Sequence, residues 1–146
     1  MTSSEDRYRE ILLDHFRHPR NKNPLVQAQT QGRCLNPSCG DLVECKVNFA
    51  DERVNEISVQ SSGCTMAVAS ASFMSEVVKG LSLAEIQKLY DQFRQELKKS
   101  LAEDWQLAEL ESFRPLRRNP SRHPCALIGW EALHQAFKNL ETKSCK

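Results

Sequence analysis

The sequence predicts an α+β fold: a small antiparallel β-sheet of about three strands packed against several α-helices. Two observations carry it. Apolar and polar residues alternate with period two between positions 43 and 59, and helical periodicity both precedes and follows that stretch. The chain has 146 residues with no internal repeat, low-complexity tract or evident linker, so residues 1–146 are expected to form a single domain with a real core.

The elements follow in order. Ser3 or Ser4 can cap a first helix, on which Tyr8, Ile11, Leu12, His15 and Phe16 share one stripe before Pro19 ends it. Residues 18–40 carry Pro19, Pro24, Gly32, Pro37 and Gly40 without periodicity and read as a long loop, a length associated with function or mobility. Val43, Cys45, Val47 and Phe49 alternate with Glu44, Lys46 and Asn48 as a half-buried strand. A turn at 50–53 leads to a second strand over 55–60, with Ile57 and Val59 inward. Because two strands alone are marginal, a third is expected from residues 25–35.

Helices dominate beyond Gly63. Met66, Ala69, Ser70, Phe73 and Val77 mark a helix over 66–79, with Gly80 at the C′ position. Ser82-Leu83-Ala84-Glu85 is a capping box opening a helix with Ile86, Leu89, Tyr90, Phe93 and Leu97 on one face. Residues 101–113 form a shorter helical stretch, and 114–124 a basic, proline-broken loop whose arginines face solvent or steer an acidic partner. Pro124 suits the first turn of a last helix striped by Leu127, Trp130, Leu133, Phe137 and Leu140.

A net charge of +1 gives no electrostatic argument for nucleic acid or a membrane surface. No apolar run approaches the roughly 20 residues that span a bilayer, and the first residues do not read as a secretory signal. The expected compartment is the cytoplasm, where thiols stay reduced, so the six cysteines are read as ligands, reactive groups or core residues rather than as disulfides.

Cys39 lies in Asn36-Pro37-Ser38-Cys39-Gly40-Asp41, Cys64 between a strand and a helix in Ser62-Gly63-Cys64-Thr65, and Cys125 opens the final helix. Helix N-termini favour thiolate over thiol, and Gly40 and Gly63 permit close backbone approach or positive φ beside a site. In an extended segment residues i and i+2 point the same way, so Asp41 can join Cys39. Three thiolates and a carboxylate suit tetrahedral zinc or a cluster under assembly. Without a CxxC pair, each cysteine taken alone is more often a small buried residue than a ligand. Cys45 follows its strand's inward alternation and is read as core, and Cys145 as an exposed bystander. Cys34 and His123 stay open, the first for sulfur handling and the second as an alternative ligand. His15, His18 and His134 show no ligand pattern.

Those motifs, with Ala69-Ser70-Ala71-Ser72, Arg122-His123-Pro124-Cys125 and the opening Tyr8-Arg9-Glu10-Ile11-Leu12-Leu13-Asp14-His15, resemble the SufU/IscU family over residues 7–140. The long stretch between Cys64 and Cys125, and Arg122 three residues before the last cysteine, resemble the SufU branch. Pro124 replaces the residue usual before that cysteine, His in the IscU branch and Lys in the SufU branch.

The resemblance implies zinc on Cys39, Asp41, Cys64 and Cys125, and persulfide sulfur accepted on Cys39 from a pyridoxal-phosphate cysteine desulfurase of the SufS kind. The IscU branch instead gives the acceptor role to Cys125. The same cysteines imply an alternative, a non-enzymatic scaffold that builds a [2Fe–2S] cluster and hands it to other iron–sulfur assembly proteins. A zinc-stabilised interaction module without sulfur chemistry is the third reading.

Overall fold

A computed structural model describes residues 4–144, with side chains described through Leu140. The order is α1 (Ser4–Arg17), β1 (Thr30–Asn36), β2 (Asp41–Ala50), β3 (Arg53–Ser62), α2 (Thr65–Val77) and α3 (Leu83–Lys98). Two 3₁₀ segments, Ala108–Arg118 and Pro120–Arg122, then lead into α4 (His123–Ser144). Cys145 lies outside the described residues. No helix among the described residues is long and apolar enough to cross a membrane.

The three strands form an antiparallel sheet in the order β1-β2-β3. Asp51 and Glu52 at the β2–β3 turn have φ of 53° and 63°, the left-handed pair that a two-residue hairpin of matching twist requires. One face of the sheet is dry: Val43, Cys45 and Val47 are fully buried, with Val54, Ile57 and Val59 beside them.

Against this face pack α4 and α2. α4 crosses β1 at Gly32, where a Cβ would stand 2.3 Å from the backbone nitrogen of Ala136 and 2.4 Å from the carbonyl oxygen of Ala132, so only glycine permits the contact. Thr30 Oγ1 donates to the Ala136 carbonyl at 2.6 Å beside it. α2 is buried nearly all round, including Ser70, Ser72 and Ser75, and their hydroxyls are consumed by hydrogen bonds.

The expected third strand exists, as β1 inside the stretch read as a loop. The stripe on α1 is narrower than expected: of its members only His15 is buried, Leu12 is partly buried, and Ile11 and Phe16 lie on the exposed side. Gly80 takes φ +84° at C″ rather than C′, because α2 ends at Val77 with Val78 as its C-cap.

The larger difference lies between α3 and α4. Residues 101–113 do not form one helix; the chain wraps through 99–107 before its 3₁₀ turns. The Arg117 side chain is fully buried rather than solvated. It pairs with Glu96 at 3.1 Å, donates to the carbonyls of Glu96, Ser100 and Glu103, and lies over the Trp105 ring. A planar guanidinium can satisfy several carbonyls that no regular helix satisfies.

Candidate metal centre

The β1–β2 connection, closed by the Asn36–Asp41 pair, is the turn Pro37-Ser38-Cys39-Gly40. Cys39 sits on it, exposed, its N–H donating to the Asn36 carbonyl at 3.3 Å, and Gly40 supplies φ +70°. Asp41, the first residue of β2, is fully buried. A buried carboxylate without partners would be costly. Here the Cys64 N–H donates to its Oδ1 at 2.8 Å, and its Oδ2 lies 3.7 Å from the Cys64 sulfur.

Cys64 is half-buried and is the N-cap of α2, with φ −71° and ψ 160°; its sulfur accepts the Ala67 N–H at 3.4 Å. Cys125, in the first turn of α4, is fully buried with its sulfur 3.6 Å from that of Cys39. One donor atom each from Cys39, Asp41 and Cys125 lies within 4.8 Å of the others. Cys64 is not one of these three; it adjoins them through Asp41, whose Oδ2 lies 3.7 Å from its sulfur, and its side chain interacts with the Cys125 thiol.

At Cys125 the expectation from the helix N-terminus is reversed. Burial first, then the hydrogen bonds with Cys39, Cys64 and Asp41, push its thiol far above the ordinary range. This cluster has gathered three sulfurs and a carboxylate whose anionic forms repel one another, and a cation among them would remove the penalty that each places on the next. By the chemistry of its donors the cluster fits zinc.

The remaining candidates separate cleanly. Cys45 is in the core, its thiol pushed up to about 12 by burial. Cys34 is half-buried on β1, 3.4 Å from a Glu131 carboxylate oxygen, and burial followed by that hydrogen bond pushes it up to about 11, the reverse of a reactive thiol. Among the described residues His123 stands outside the cluster, its Nε2 2.8 Å from the Leu116 carbonyl oxygen. His15 bonds Ser72, and His134 bonds the Trp130 carbonyl and Gln87. Cys34, Cys39, Cys45, Cys64 and Cys125 are all free thiols. The backbone donors that address the site, the N–H groups of Cys64 and Ala67, have no signature of their own in the sequence; glycine directly before an N-cap is the nearest signal.

The zinc-dependent sulfurtransferase SufU of Bacillus subtilis is 28% identical over 137 residues, covering 92% of this chain and 91% of the relative. The iron–sulfur cluster assembly scaffold protein IscU of Streptococcus pyogenes is 29% identical over 132 residues, 90% and 82% of the two chains. Among solved structures, the nitrogen-fixing NifU-like protein (N-terminal) from Brucella abortus superposes with a TM-score of 0.80 at 22% identity, covering 93% of this chain and 95% of that one, a likeness of fold. The model of the NifU-like N-terminal domain matches residues 7–146, and the chain belongs to that family.

Proposed function

We propose that this chain accepts sulfane sulfur on Cys39 for iron–sulfur cluster assembly, receiving it from a pyridoxal-phosphate cysteine desulfurase in the cytoplasm, with residues 1–146 acting as one domain. The observation that carries the reading is the asymmetry of the cluster: Cys39 is exposed, while Asp41 and Cys125, within 4.8 Å of it, are fully buried. The likeness to a zinc-dependent sulfurtransferase supports it.

Cys39, Asp41, Cys64 and Cys125 would hold the zinc, whose positive charge would keep the three cysteines as thiolates. The chain's own residues do the rest. Cys39 rides on a short turn that can shift without unwinding a helix, whereas Cys64 and Cys125 begin α2 and α4. The Cys39 thiolate attacks the outer sulfur of the donor's persulfide. A bond from Cys39 Sγ to that sulfur forms, the donor's S–S bond breaks, and its electron pair leaves on the donor's cysteine thiolate, the transferred sulfur keeping its hydrogen. No net oxidation occurs.

With a desulfurase and cysteine but no added reductant, alkylation and peptide mass spectrometry should find the persulfide on Cys39, and Cys39→Ser should stop stimulation of the desulfurase. A persulfide on Cys125, with Cys39→Ser still stimulating, overturns the assignment. A second reading, assembly of a [2Fe–2S] cluster as cargo on the same three cysteines, draws on the likeness to scaffold proteins. A brown chromophore, with iron and sulfide in place of zinc after anaerobic purification, would favour it.

A further inference from the structure

The two oxygens of Asp41 have different surroundings. Oδ1 accepts the Cys64 N–H at 2.8 Å, whereas Oδ2 lies 3.7 Å from the Cys64 sulfur. The room for Oδ1 exists because the preceding residue is Gly63, at φ +126°. A Cβ there would stand 2.3 Å from Oδ1 and 2.7 Å from the Asp41 Cα, the latter a backbone atom that cannot swing aside. The β2–β3 ladder ends one step earlier at the Leu42–Ser62 pair, so strand pairing holds both backbones at this approach.

The arrangement is a capping box divided between two parts of the chain. In the usual box the N-cap side chain accepts the N3 N–H, and the N3 side chain reaches back to the N-cap N–H. At α2 the Cys64 sulfur takes the first role with Ala67. Ala67 has no polar side chain for the second, and Asp41 fills it from another strand.

We propose that Asp41 serves the metal centre through Oδ2 alone, and that Gly63 and the Cys64 N–H are the positioning groups that dedicate Oδ1 to the helix end and fix Oδ2 toward the sulfurs. The proposal rests on the reading of the cluster as a zinc centre. A carboxylate anchored this way donates one oxygen and stays in place when Cys39 moves away. Backbone-anchored carboxylates orient ligands much as outer-sphere hydrogen bonds do.

The test compares Asp41→Asn, Asp41→Ala and Gly63→Ala as full chains, by melting without metal, by zinc affinity in chelator competition, and by the absorption spectrum of the cobalt-loaded protein. Without metal, Asp41→Asn should melt close to the parent, because its carbonyl still accepts the Cys64 N–H, and Asp41→Ala should melt lower. That bond turns the Asn NH2 toward the sulfurs, so Asp41→Asn should bind zinc as weakly as Asp41→Ala and share its altered cobalt spectrum. Gly63→Ala should lose about 10–100-fold in zinc affinity. The proposal is overturned if Asp41→Asn keeps the parent's affinity and spectrum, for its carbonyl would then have turned to the metal. It is equally overturned if the two Asp41 variants melt alike without metal. Should Gly63→Ala fail to fold, the Asp41 pair still decides. If the parent takes up no stoichiometric zinc, the zinc reading fails, while the metal-free melting order still shows whether Oδ1 is anchored.

Discussion

At the amino end of α3, Ser82 accepts the Glu85 N–H at 3.2 Å and Glu85 reaches back to the Ser82 N–H at 3.1 Å, helped by an ion pair from Arg53. At the amino end of α2, Cys64 accepts the Ala67 N–H and Asp41 accepts the Cys64 N–H. The bonding pattern is the same, but the chemistry differs. The α3 cap is built from four consecutive residues, with Glu85 exposed, and its two side chains serve the Ser82 and Glu85 N–H groups. The α2 cap joins residues far apart in sequence, uses a weak sulfur acceptor, and leaves Oδ2 of a buried carboxylate 3.7 Å from the Cys64 sulfur. Oxygen-for-sulfur exchange costs the helix some capping strength. It places a soft ligand and a hard one at a rigid helix end, the arrangement that a functional site needs.

The sharpest way to break this comparison is to restore the ordinary cap. Cys64→Ser keeps an N-cap acceptor of the preferred kind, so the metal-free protein should melt at or above the parent. It removes a sulfur ligand, so zinc should no longer stabilise the protein. At zinc a thousandfold above its Kd the parent gains about 4 kcal/mol by linkage, and the variant should forfeit most of that. Ser82→Ala should cost about 1 kcal/mol with and without zinc. Thermal melts with zinc and with chelator separate the two. Equal zinc-dependent gains in parent and Cys64→Ser would mean that the α2 cap is only a cap.

A smaller effect should come from Arg117, which is buried like Asp41 but serves only the wrapping of 99–107 over α3. Arg117→Met leaves Glu96 buried beside Lys99, which still reaches it at 2.5 Å, and orphans several carbonyls. The expected cost is about 3 kcal/mol, the lower end for breaking a buried pair, because Lys99 keeps Glu96 partly neutralised. Denaturant melts should show that loss while chelator competition shows unchanged zinc affinity. A matching fall in affinity would tie this segment to the delivery of Cys125.

What could be read from the sequence follows the same division. The α3 capping box is contained in one helical turn and was legible there. So was the alternation along β2, because one face of that strand is uniformly apolar. The positions of Cys39, Cys64 and Cys125 at the starts of elements pointed to a shared site; donor atoms of Cys39, Asp41 and Cys125 lie within 4.8 Å of one another, with Cys64 beside Asp41. β1 was harder to see. Thr30-Gln31-Gly32-Arg33-Cys34-Leu35-Asn36 has little β-propensity, and it is a strand because α4 lies across Gly32, a contact with residues about a hundred positions away. Arg117 read as solvated because a charged residue in a proline-rich stretch usually is; its burial depends on carbonyls in a loop whose path no periodicity marks. The raised Cys125 thiol was invisible for a similar reason, since helix position is local and the acidic neighbours are not.

The smallest expected effect tests α2 away from its cap. Arg20 N–H donates to Ser72 Oγ at 2.8 Å, which leaves the Ser72 hydroxyl hydrogen free to serve His15 Nδ1, 2.8 Å away. Burial first, then the Arg20 charge, lowers the His15 pKa from its ordinary 6.5, against the opposing pull of Glu76 and Asp14. Between 6.5 and the lower folded value, the unfolded chain binds a proton that the folded chain refuses, so stability falls as the pH drops through that window. One group contributes at most about 1.4 kcal/mol per pH unit there. Glu85 behaves differently. Its pKa is lowered from 4.5, first by the Ser82 backbone bond, so the contribution of the α3 cap persists above 4.5 and is lost only as the pH falls through its lower folded value. Melting temperatures of the metal-free protein should therefore fall in two stages, with His15→Gln flattening the first and Ser82→Ala shrinking the second. If His15→Gln leaves the first stage intact, the contact between α1 and α2 does not carry it.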